Sequence, residues 1–162
     1  MIDTTNARET FLAVANDIAV ALGTEDGATG RLGQEVAAVL HVALDVLGLD
    51  TRVRLLHSLE PAICTHAVLE CVLGEPQPED APGLYRALLA MNLANQQISI
   101  GQYAIDQETG GVVYLYPFAL HGCEPEVIAQ IARMAFEASR DLLARPQAPE
   151  QVPAIDNAWL AA

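Results

Sequence analysis

Residues 84–120 read LYRALLAMNLANQQISIGQYAIDQETGGVVYLYPFAL, and the fold is decided there. Leu84, Leu88 and Met91 recur at helical spacing, while Tyr85, Leu89 and Leu93 widen the apolar surface beyond the usual single stripe. This predicts a helix ending near Asn95 and buried on more than one side. Ile98 to Asp106 and Gly111 to Ala119 then read as two strands joined by the turn Gln107-Glu108-Thr109-Gly110.

Upstream of that block, GEPQPEDAPG at 74–83 is a proline-rich connector in which Asp80 caps the helix and Pro82 occupies its first turn. Before it, three strands are expected. From Val36 on, Leu40, Val42, Leu44 and Val46 alternate with Val39, His41, Ala43 and Asp45, the period of a strand with one buried face. After a turn near Gly48 to Asp50, Thr51 to Leu59 and Thr65 to Leu73 complete an antiparallel meander, interrupted by Glu60-Pro61-Ala62. At the start of the chain, Asn6 with Glu9 reads as a capping box. Phe11, Val14, Ile18 and Leu22 then mark a first helix over 7–22, closed by Gly23. The following GTEDGATGRLGQ has four glycines and the composition of a loop. Downstream, Pro125 opens a third helix with Ile128, Ile131, Ala135 and Leu142 inward, ending near Ala144. The expected order is αβββαββα, an α+β fold with helices packed on an antiparallel sheet. Residues 1–145 are expected to form a single domain, and 146–162 a proline-rich tail carrying the sole tryptophan, Trp159. That tail reads either as a solvated terminus or as an aromatic anchor made of Trp159 and Leu160.

Composition removes several functions. The chain has eight basic residues, all arginine, against twenty-one acidic ones, for a net charge of −13. Such a field repels nucleic-acid phosphates and anionic lipid heads. The absence of lysine excludes a P-loop and a Schiff-base site. Ser58, Ser99 and Ser139 stand in no nucleophile motif. No run of about 18 apolar residues is present to span a bilayer, and the first residues lack the basic and apolar regions of a signal peptide, so a soluble cytoplasmic protein is expected. Cys64, His66 and Cys71, with His121 and Cys123, are the best candidate metal ligands. On a strand, however, Cys71 lies an odd number of residues from His66 and would face the other way, so no metal site is assigned. No catalytic residue and no cofactor are expected.

The stretches LYRALLAMNL and QYAIDQETGGVVYLYPFAL, with the helix that starts at Pro125, resemble the type III secretion chaperones of the Tir chaperone (CesT) family over roughly residues 7 to 144. The resemblance implies a cytoplasmic homodimer without cofactor. It would bind the N-terminal segment of a secreted effector, keep that segment partly extended, and hand it to components of the secretion apparatus of a bacterium. It points to effector contacts on the first helix and first three strands, at Phe11, Val14, Val39, Val53 and Leu55. It also points to a dimer interface on the second helix, at Leu84, Leu88, Met91 and Leu93, where the wide apolar surface independently favours a twofold contact. The long glycine-rich loop and the proline-rich tail depart from the family. Two alternatives stay open: a YbjN-like regulatory or stress-related interaction module, and a small metal- or thiol-dependent enzyme in which the cysteines and histidines converge.

Overall fold

A computed structural model of the chain describes residues 4–23, 35–36, 39–45, 52–60, 63–77, 80–98 and 101–144. The elements run α1 (Thr4–Leu22), β1 (Glu35–Val36), β2 (Val39–Asp45), β3 (Arg52–Ser58), β4 (His66–Gly74), α2 (Ala81–Ile98), β5 (Gln102–Ile105), β6 (Val112–Ala119) and α3 (Pro125–Ala144). The strands form one antiparallel sheet in the order β1-β2-β3-β4-β6-β5. The α+β order is the expected one with a short strand added in front. Glu35 and Val36 pair back onto Leu40 and Val39, so the chain doubles over where one strand was expected from Val36 on. The segment 24–34, Val46, the turn at Gly48 to Asp50, Pro61-Ala62, the side chain of Leu142 and the tail with Trp159 lie outside the described residues.

Two helix ends differ from the sequence reading. α1 begins at Thr4, which puts Asn6 inside the helix, where its carbonyl accepts a bond from Thr10 Oγ1 at 2.8 Å instead of Asn6 acting as a cap. The inward stripe explains the extension: Ala7 is buried one turn before Phe11 and continues the run through Ala15, Ile18 and Leu22. α2 extends to Ile98, past the expected Asn95, and β5 starts correspondingly later at Gln102. The hairpin turn forms where expected. Asp106 and Gly111 close it through a 2.8 Å bond, and Gly110 takes the positive φ of 75° that a side chain would resist.

The alternation of apolar and polar residues becomes continuous rows across the sheet. One buried row runs Leu44, Val53, Cys71, Tyr114, Tyr103, and the next runs Val42, Leu55 and Leu69 to half-buried Tyr116. A third runs Leu40, His57, Ala67, Phe118. Phe11 of α1 stacks on His57 with ring centroids 4.8 Å apart, which sets α1 on this face. α3 packs beside α1 and on β4, adding Ile128, Ala132 and Phe136 to the same core. Arg133 of α3 donates to the Ala21 carbonyl at 2.7 Å, so a cation meets the C-terminal end of α1. α2 stands apart from this pair and packs on β5.

Candidate functional site

Two surfaces distinguish the molecule. The first is α2. Leu84 and Leu88 are buried in the chain's own core, Met91 is half-buried, and Leu89 and Leu93 are 68% and 65% exposed. The helix is therefore apolar on two sides, with one covered by β5 and the other open. Between α2 and β5 lies a groove of about 290 Å³ lined by Tyr85, Leu88, Leu89, Asn92, Tyr103 and Ile105, among others. Asn92 fixes the helix to the strand: its amide nitrogen donates to the Tyr103 carbonyl at 2.8 Å and its oxygen accepts the Tyr103 N–H at 2.7 Å. Asn95 donates to the Gly101 carbonyl at 3.1 Å.

The second surface is the sheet face opposite the three buried rows. It carries half-buried Leu56, Val68, Val72 and Leu115, with Arg54 and Glu70 paired across β3 and β4 in their midst. Both the Arg54 Nε and Nη2 groups donate to one Glu70 oxygen, so the pair presents a nearly neutral centre within an apolar face. Such a surface suits a partner that brings aliphatic side chains and few charges.

No protein-family model and no curated protein of similar sequence matches the chain. Solved structures do. A chain of the HopA1–SchA chaperone–effector complex superposes with a TM-score of 0.58 at 16% identity, covering 90% of this chain and all, 100%, of that one. A chain from the crystal structure of the Yersinia pestis type III secretion chaperone SycH in complex with a stable fragment of YscM2 gives 0.55 at 14% identity, covering 82% of this chain and 98% of the other. The chain has the fold of a type III secretion chaperone. At these identities the likeness is one of architecture.

Within this chaperone fold, the five residues expected to touch an effector divide. Phe11, on the inward side of α1, and Val53 and Leu55, in the sheet's inner rows, are fully buried and packed against the chain itself. Val14 and Val39 are partly exposed. Of the four residues expected at a dimer interface, Leu84 and Leu88 serve the chain's own core, whereas Met91 and Leu93 reach the surface. Asn92 and Asn95 were missed. Their signal was present as two poor helix formers three residues apart in an otherwise apolar helix.

The candidate metal ligands do not gather. Cys64 is buried in the turn before β4. His66 is exposed, its ring nitrogen 2.9 Å from Thr65 Oγ1, while Cys71 lies in the first buried row. Among the described residues no three His, Cys, Asp or Glu side chains are placed to hold a metal ion. Burial pushes the Cys71 thiol up to about 12, with Glu70 adding to the rise, which makes the free thiol a poor nucleophile at neutral pH. Burial, with the negative charge of Asp17 and Glu124, also raises Cys123. No helix among the described residues is long and apolar enough to cross a membrane.

Proposed function

We propose that the chain is a cytoplasmic type III secretion chaperone of the Tir chaperone (CesT) kind. It acts as a homodimer that binds the N-terminal segment of a secreted effector and keeps it competent for export, with no catalytic turnover and no cofactor. One observation carries the reading: nearly the whole chain shares its architecture with chains from two chaperone complexes, one with an effector and one with a fragment of YscM2. The surfaces agree with it. An extended apolar segment gains affinity by strand pairing and by side chains placed in pockets, without a nucleotide-driven cycle. The outer sheet face around Leu56, Val68 and Leu115, with Val39, offers apolar contact to such a segment, and Val14 adds a partly exposed position on α1 across the sheet. For the dimer, Leu89 and Leu93 supply uncovered area on α2. Covering a leucine of this kind contributes about 1.5–3 kcal/mol.

Co-expression with the N-terminal segments of secreted proteins encoded beside this gene tests the proposal. A stoichiometric complex that withstands size-exclusion chromatography is expected with one such segment, and none with the same protein lacking it. Elution of the chain free of every segment would remove the chaperone assignment.

A further inference from the structure

An antiparallel sheet ends in two edges, and each exposes a row of N–H and C=O groups that another strand can pair with. The usual guards are short strand length, lysine or other charged residues, proline, bulges, and a covering helix or loop. β5, reading Gln-Tyr-Ala-Ile at 102–105, is a short edge strand that is uncharged and free of proline, in a chain with no lysine to place there, and α2 packs on it. Its backbone is occupied in another way. Tyr103 directs both its N–H and its C=O away from β6, and both are taken by the side-chain amide of Asn92 at 2.7 and 2.8 Å. A carboxamide has the donor and acceptor of a peptide group, so Asn92 pairs with Tyr103 as a residue of a neighbouring strand would. Two residues before Tyr103, just ahead of β5, Gly101 offers its carbonyl to Asn95. Asn92 and Asn95 are three apart, so they share one side of α2 and reach outward groups two residues apart along the same edge.

We infer that Asn92 and Asn95 seal the β5 edge against strand addition, and that the partner they exclude is β5 of a second copy. Self-pairing is the competitor to exclude because an apolar, uncharged edge strand of this sequence is complementary to itself antiparallel about a twofold axis. The opposite end of the sheet has no equivalent seal among the described residues: β1 pairs only with Val39 and Leu40 of the seven-residue β2.

Hydrogen exchange at the Tyr103 amide, followed with sedimentation velocity over a range of concentrations, tests the inference on the purified full chain. In Asn92→Ala the Tyr103 amide should exchange roughly tenfold faster than in the wild type at low concentration. As concentration rises, protection should return and species larger than the wild-type particle should form. Asn92→Asp keeps the acceptor for the Tyr103 N–H but loses the donor to its carbonyl. It should therefore stay folded and show weaker growth of the same kind, and it decides the matter if Asn92→Ala does not fold. Faster exchange without concentration-dependent growth would make Asn92 a clip for α2 and nothing more, and would overturn the inference. So would wild-type behaviour in both variants.

Discussion

Gly101 illustrates how narrowly some positions are set. A Cβ there would lie 2.2 Å from the Leu115 carbonyl oxygen and 2.9 Å from the Tyr114 ring, and the carbonyl belongs to backbone that cannot step aside. Gly101→Ala should lower stability by about 1–3 kcal/mol in urea unfolding, with little change in far-UV circular dichroism. Cys71 sets a pH limit. Its thiol titrates at about 12 in the folded chain against an ordinary 9.0, because burial, aided by Glu70, opposes the thiolate. A pKa raised on folding stabilises fully below the unfolded value, and that stability is lost as pH climbs toward the folded one. The urea midpoint should therefore decline between pH 9.0 and about 12. Tyr114, raised from 10.0 to about 12 by burial first and Tyr103 second, adds to the upper part of the fall. Cys71→Ala should flatten the decline, and an unchanged slope would show that the thiol does not ionise on unfolding. The parity argument that separated His66 from Cys71 was readable in the sequence because strand periodicity is rigid. That the strand starts at His66 and not at Thr65 was not, since one residue of shift at a strand start leaves no mark in composition.

At the scale of elements, α2 carries the assignment that sequence could open but not finish. A helix apolar on two sides announces that both are covered by something. Which residues face the chain's own sheet depends on where β5 lies, and β5 is fixed by Asn92 through contacts eleven residues apart in sequence. Hence Leu84 and Leu88, chosen for their regular spacing, turned inward, whereas Leu89 and Leu93 stayed outside. The two groups make opposite predictions. Leu88→Ala should destabilise the chain by about 2–4 kcal/mol through lost burial and the cavity left behind. Leu89→Glu with Leu93→Glu alters exposed positions and should change chain stability by no more than about 0.5 kcal/mol at each. If α2 forms the dimer, however, the double variant should halve the mass found by light scattering. An unchanged dimer would place the interface elsewhere, and a monomeric wild type would remove it. α3 and β2 were legible from periodicity alone because each has one buried side. β1 was not, because two residues establish no period.

For the whole molecule, a charge of −13 and an outer sheet face that is apolar around one ion pair act at different ranges. The long-range field steers a basic partner and is screened beyond about 10 Å at 0.1 M salt. Apolar burial is not screened. Affinity for an effector segment should thus fall only about two- to tenfold between low and high salt, against the far steeper loss expected of a complex held by many ion contacts. Amide exchange of a secreted protein's N-terminal segment, measured free and bound, reads whether this chain captures that segment in extended form. Protection should appear only on binding and be confined to the segment, together with a negative heat-capacity change from apolar burial. A segment that exchanges at the same rate with and without the chain, for every secreted protein encoded near its gene, would contradict that capture.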